Sequence, residues 1–118
     1  MIISGKAKVC GIMAYPVEHS FSPLMHNFYA RELGLDFAYV PFKVPEDQVE
    51  AAIKGAYALN LAGMNITVPY KQRVIPYLKD LDPAARAIGA VNTLVRVEGG
   101  FKGHNTDGPG LWRAMKEA

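Results

Sequence analysis

The sequence predicts an α/β fold: a three-layer αβα sandwich built on a mostly parallel sheet, with an antiparallel hairpin near the C-terminus. Three observations point there. Short apolar runs alternate with segments whose apolar residues recur at helical spacing, the pattern of βαβ units. The first two runs, Ala7 to Met13 and Asp36 to Phe42, are nearly all apolar, as strands buried on both faces are. Near the end, two β-rich runs are separated only by Glu98-Gly99-Gly100, a hairpin turn.

Each element has a local reason. After the first strand, a polar turn spans Tyr15 to Ser22. Ser22-Pro23 then opens a helix, with Ser as N-cap and Pro where its missing N–H costs nothing, and Gly34 closes it. The strand to Phe42 follows. Pro45 starts a second helix, whose Val49, Ala52, Ile53 and Ala56 form one apolar stripe. Leu61 to Val68 is a third strand, with Met64, Ile66 and Val68 on one face and Asn65 and Thr67 on the other. Pro69 ends it, and Tyr70 to Leu78 is expected to be helical. Asp82-Pro83 caps a short helix that stops at Gly89. Val91 to Val97 and Phe101 to His104 form the hairpin, and a helix is expected from Asp107 onward, with Leu111 and Met115 on one face. The first three strands should be parallel, joined by right-handed crossovers.

Composition excludes several functions. The chain has 118 residues, enough for one domain's core, half of them hydrophobic and a fifth charged. A net charge of +2 is too small to argue for nucleic acid or an anionic membrane. One cysteine, Cys10, excludes a disulfide framework and a cysteine zinc cluster; it reads as a buried strand residue. His19, His26 and His104 lack metal spacing, so no metal is expected. No apolar run approaches the ~20 residues of a membrane span. The start of the chain lacks the apolar block of a signal peptide, so a cytoplasmic location is expected.

In open parallel sheets, ligands bind outside the carboxyl ends of the strands. Three segments therefore matter. The first, His19-Ser20-Phe21-Ser22-Pro23, places two hydroxyls at a helix N-terminus, where free N–H groups favour an anion such as a carboxylate or phosphate. Plain roles as cap and turn residue account for the same two serines. In the second, Gly63 to Lys71, Asn65 and Thr67 are polar groups on a buried strand and need partners, which a polyol supplies and so does local backbone. Lys71 shares a face with Val74, Ile75 and Leu78 in the expected first helical turn. Burial and the positive helix end both disfavour its charged form, which suits a general base; a snorkelling lysine is the alternative. The third, His104 to Gly110, delivers Asp107 to the same rim, where it acts as a helix cap or as a site carboxylate. No glycine-rich dinucleotide fingerprint and no phosphate loop is present.

Four blocks in order resemble the shikimate dehydrogenase family. They are Pro16 to Asn27, Gly63 to Lys71, Gly89-Ala90-Val91-Asn92-Thr93-Leu94 and Asn105-Thr106-Asp107-Gly108. The resemblance implies a substrate-binding domain for shikimate and 3-dehydroshikimate, within an enzyme of aromatic amino-acid biosynthesis that uses NADP(H). It implies that Ser20 and Ser22 hold the substrate carboxylate. It makes Asn65, Thr67, Asn92 and Asp107 contacts to the ring hydroxyls, and Lys71 and Asp107 the catalytic pair. The family's NADP-binding Rossmann domain is expected to be absent from residues 1–118, which alone should be inactive. A quinate/shikimate dehydrogenase shares these blocks, and a stand-alone binding module without redox activity is a third reading. Pro109 departs from the family's usual helix start, at a position where proline is tolerated.

Overall fold

Strand β1 (Lys8–Ala14) is followed by helix α1 (Ser22–Glu32) and strand β2 (Phe37–Lys43). Helix α2 (Val49–Ala58) leads to β3 (Gly63–Ile66). Next come β4 (Asp80–Leu81), α3 (Pro83–Ile88) and the hairpin strands β5 (Thr93–Val97) and β6 (Gly100–His104). The coordinates are a computed structural model and describe residues 3–15 and 22–106. The sheet runs β2-β1-β3-β5-β6-β4. β1 is parallel to β2 and β3, β5 is antiparallel to β3 and β6, and β4 is parallel to β6. The mostly parallel sheet with a C-terminal hairpin is as the sequence predicts.

Alternation along β1 builds two cores. Cys10, Ile12 and Ala14 point to one face, where they meet Phe37, Tyr39 and Ala30 of α1. Met13 points to the other, where Val49, Ile53 and Ala56 of α2 pack with Met64, Ile66 and Leu94. Gly11 lies between β2 and its neighbours with no room for a side chain: an added Cβ would sit 2.4 Å from the Val40 carbonyl oxygen. Helix α1 ends as expected: Gly34 has φ 68°, and the N–H groups of Gly34 and Leu35 donate to the carbonyls of Arg31 and Ala30. β2 is an edge strand, and Asn27 of α1 blunts it. The Asn27 amide donates to the Tyr39 carbonyl (2.7 Å) and accepts from the Tyr39 N–H (2.8 Å).

The structure corrects some boundaries. Residues Tyr70 to Leu78 are not an α-helix: turns lead into one 3-10 turn, Ile75–Tyr77. Pro76 is the cause, because it has no N–H to donate and its ring opposes a continued helix. The apolar stripe still holds, with Val74 buried and Ile75 and Leu78 half-buried. The third strand is shorter than Leu61 to Val68, and Val68 is 70% exposed. After Pro45 a 3-10 turn, Glu46–Gln48, precedes α2. The two-residue β4 was invisible to pattern reading. The expected helix from Asp107 onward lies outside the described residues.

Candidate functional site

Topology brings four segments to one rim of the sheet. β1 and β3 end there because they are parallel, at Ala14 and Ile66. β5 begins there because it is antiparallel to β3, with Asn65 opposite Thr93. β6 ends there because it is antiparallel to β5, with Thr93 opposite His104. The N-terminus of α1 overhangs the same rim. A cleft of about 230 Å³ lies between them, lined by Ile12, Ser22, Asn65, Ile66, Thr67, Asn92, Thr93 and Thr106.

Ser22, Asn65, Thr67 and Asn92, four of the residues singled out in the sequence, thus line one cleft. Ser20 and Asp107, the other two predicted site residues besides Lys71, lie outside the described residues, as does His19. Lys71 occupies the turn after the cis Val68-Pro69 bond. Its carbonyl accepts from the Val91 N–H at 2.7 Å, which fixes it beside the Asn92 segment. Its side chain is half-buried and has no hydrogen-bond or ion-pair partner among the described residues. The expected position in the first turn of an α-helix is not observed, so the helix-dipole argument for this lysine falls with it.

Each remaining polar group has a structural reason for its orientation. The Asn92 amide donates to the Thr106 carbonyl at 2.5 Å, and its oxygen accepts from the Thr106 N–H at 3.0 Å. The Thr93 hydroxyl also donates to that oxygen at 3.0 Å. Asn92 therefore clamps the backbone of the residue just before Asp107, using the groups that were expected to face a ligand. Asn105 adds a bond from its amide to the Ala90 carbonyl at 3.1 Å. Asn65 accepts at 2.7 Å from the hydroxyl of Tyr39. The rest of the Asn65 amide is left toward the cleft. α1 carries no acidic residue in its first turn, so nothing there opposes an anion.

Charge states around the rim follow from burial. Desolvation pushes the Cys10 thiol up to about 12, although the Gly63 backbone bond opposes it, so Cys10 is no nucleophile at neutral pH. Burial raises the Tyr39 hydroxyl. Burial lowers His26, which stacks on Tyr39 at 4.3 Å. His104 pairs through Nδ1 with Asp82 at 3.2 Å, while Asp82 caps α3 by accepting from the Ala85 N–H at 2.7 Å. Among the described residues, no group of three His, Cys, Asp or Glu side chains could hold a metal ion.

Sequence reasoning missed Thr93, Thr106 and Tyr39. Thr93 and Thr106 lie inside two of the blocks that carry the family resemblance, and that position is their signal. Tyr39 sat in an apolar run, where a buried hydroxyl needs a partner, and that requirement was the available signal.

Comparison with known proteins bears on the family and the fold. The sequence model of the shikimate dehydrogenase substrate binding domain matches residues 12–94. A curated shikimate dehydrogenase (NADP(+)) of Desulforamulus reducens is 55% identical over 98% of this chain, and one of Methanobrevibacter smithii is 52% identical over 98%. This chain spans 40% and 41% of their respective lengths. A crystal structure of shikimate 5-dehydrogenase from Listeria monocytogenes, in complex with shikimate and NAD, superposes with a TM-score of 0.85. It is 43% identical over 98% of this chain and 40% of its own. A 5-ketofructose reductase of Gluconobacter superposes equally well, TM-score 0.85, at 32% identity, over 98% of this chain and 42% of its own. With its family match extending over more than half its length, the chain belongs to the shikimate dehydrogenase substrate binding domain family.

Proposed function

We propose that this chain is the substrate-binding part of a cytoplasmic, NADP-dependent shikimate dehydrogenase, which interconverts 3-dehydroshikimate and shikimate in aromatic amino-acid biosynthesis. The observation that carries this reading is the convergence of Ser22, Asn65, Thr67 and Asn92, from three of the four sequence blocks, around one small polar cleft. About 230 Å³ is below the roughly 300–1,000 Å³ of drug-sized pockets, which suits a one-ring acid. The carboxylate binds at the start of α1, held by Ser22 and, two positions earlier in the sequence, Ser20. Ring hydroxyls meet the Asn65 amide, the Thr67 hydroxyl and the remaining amide N–H of Asn92, and Asp107, next in sequence to Thr106, is the further contact.

The described residues do not fit a dinucleotide. The cleft is too small, and neither the turn after β3 nor the segment after β6 up to Thr106 has the glycine-rich phosphate cradle such a ligand needs. We assign NADP, and the redox half of the reaction with it, to the part of the relatives that this chain, at 40% of their length, does not span. What this chain contributes is binding, orientation and the proton. Lys71 takes the proton from the reacting hydroxyl as the ketone forms and returns it to the carbonyl oxygen in reverse, with Asp107 poised against it. Among the described residues no helix is long and apolar enough to cross a membrane.

The 5-ketofructose reductase favours a second reading, in which the same scaffold recognises another hydroxylated ketone or acid, quinate among them. Steady-state assays of the full-length protein with NADP⁺ and NAD⁺, against shikimate and quinate, separate these readings. Oxidation of shikimate with NADP⁺ is expected. Turnover of quinate but not shikimate, or of neither, overturns the proposal and, in the second case, leaves a binding module.

A further inference from the structure

Two threonines stand together on the cleft wall. Thr93 begins β5 opposite Asn65, Thr106 follows β6, and both line the cleft. Asn92 fixes them. Its side-chain oxygen accepts from the Thr106 N–H and from the Thr93 hydroxyl, each at 3.0 Å, and these two bonds occupy its two lone pairs. The Thr106 hydroxyl is left without a good partner. It lies 3.5 Å from that oxygen and 3.4 Å from Thr93 Oγ1, against about 2.5–3.0 Å for a strong O–H···O bond. Thr93 is 1% exposed and Thr106 is half-buried, so Thr106 is the member of the pair that a ligand reaches. Its backbone is held by the Asn92 amide through both the N–H and the carbonyl. A β-branched side chain on a fixed backbone has few rotamers, so the hydroxyl is placed before a ligand arrives.

We propose that the Thr106 hydroxyl contacts the ligand, and that the group it meets is the ring hydroxyl farthest from the carboxylate. The direction follows from the sheet order β2-β1-β3-β5-β6. α1, whose start takes the carboxylate, packs over β1 and β2, whereas Thr106 follows β6 on the other side of the cleft. A one-ring acid held by its carboxylate at α1 therefore turns its opposite ring carbon toward Thr106. In shikimate that carbon bears a hydroxyl. No particular proton order is needed, because the threonine and ligand hydroxyls each donate and accept. The proposal rests on the functional reading above and deepens it. Asn92 also serves the ligand by presenting Thr106, and the cleft selects for an oxygen on the ring carbon opposite the acid. Quinate carries that hydroxyl too, so this contact does not separate shikimate from quinate.

The test measures dissociation constants by titration calorimetry on the full-length protein, in wild type, Thr106→Val and Thr106→Ser. The probes are shikimate and its deoxy analogue lacking the hydroxyl opposite the carboxylate. Thr106→Val keeps the β-branch and removes only the hydroxyl. It should weaken shikimate about fivefold, the share of one neutral hydrogen bond, and weaken the analogue by less than about twofold. Thr106→Ser keeps the hydroxyl and should recover most of that loss. A hydroxyl that only supports the fold would instead lower the melting temperature and weaken both ligands alike. Should Thr106→Val fail to fold, Thr106→Ala deletes the same hydroxyl with less bulk, and the same comparison applies. Shikimate binding unchanged in the hydroxyl-free variant, equal losses for the two ligands, or Thr106→Ser no better than Thr106→Val overturns the Thr106 proposal alone. Wild-type protein that neither binds nor turns over shikimate overturns the functional reading and this proposal with it.

Discussion

Replacing Asn92 with alanine separates a clamp from a ligand contact. The side chain makes four bonds: to the Thr106 carbonyl at 2.5 Å, from the Thr106 N–H at 3.0 Å, from the Thr93 hydroxyl at 3.0 Å and, at the longest, from the Thr106 hydroxyl at 3.5 Å. Thr93 is 1% exposed, so its hydroxyl would keep only the 3.4 Å contact to Thr106 Oγ1. That loss should cost about 1 kcal/mol. Thr106 is half-buried, and water replaces part of what its backbone loses, about 0.5 kcal/mol for each of two bonds. The total, about 2 kcal/mol, corresponds to a fall in melting temperature of about 6–10 °C for a domain of this length. Activity should fall further than stability, because Asp107 follows Thr106 directly. A displacement of about 1 Å at a reacting group can cost about 10²-fold in rate. Differential scanning calorimetry of residues 1–118 checks the first number, and steady-state kinetics of the full-length variant the second. A melting point within about 2 °C of wild type, with KM raised and kcat intact, would refute the clamp and leave Asn92 as a plain ligand contact.

Other expectations follow from particular placements. Lys71→Ala in the full-length protein should lower kcat by about 10²–10⁴-fold and move the melting temperature by less than about 2 °C, since its side chain has no described partner; near-normal turnover would remove it from the proton path. Gly11→Ala should destabilise by about 3 kcal/mol or more, because the added Cβ meets backbone at 2.4 Å; a soluble variant with wild-type melting contradicts the packing. Burial lowers His26 below its ordinary 6.5, so the unfolded chain binds the proton more readily than the folded one. The stability from neutral His26 is therefore complete above about pH 6.5 and is lost as pH falls through the folded value. Denaturant titrations between pH 7.5 and 5 should show that slope in wild type and less of it in His26→Gln; parallel profiles would contradict it.

Much of this fold could be read from the sequence because its strongest signals are local. The runs around Cys10 and Tyr39 are apolar because β1 lies inside the sheet and β2, though an edge strand, is covered by α1 through Asn27 and His26. Ser22-Pro23, Asp82-Pro83, Gly34 and Gly89 mark helix ends by backbone chemistry that tertiary context does not override. Where reading failed, a nonlocal or competing effect won. Apolar spacing from Tyr70 to Leu78 survives without an α-helix, because Pro76 breaks the hydrogen-bond ladder while the turns keep Val74 inward. β4 exists only because β6 offers an edge. At the site, residue types and blocks pointed to Ser22, Asn65, Thr67 and Asn92. Their working partners, Tyr39 and Thr106, come from other elements. Only the sheet order β2-β1-β3-β5-β6 brings those together.

The claim that this chain holds the substrate and not the dinucleotide is tested most directly by NMR chemical-shift mapping on residues 1–118. The two cores lie within the described residues, so the chain should fold by itself. Titration with shikimate should produce weak, saturable shifts at Ser22, Asn65, Thr67, Asn92 and Thr106, with Ser20, Lys71 and Asp107 among those that move. NADP(H) should produce no saturable shifts at all. Saturable NADP(H) binding, or shikimate shifts scattered away from the ends of β1 and β3, would contradict the account.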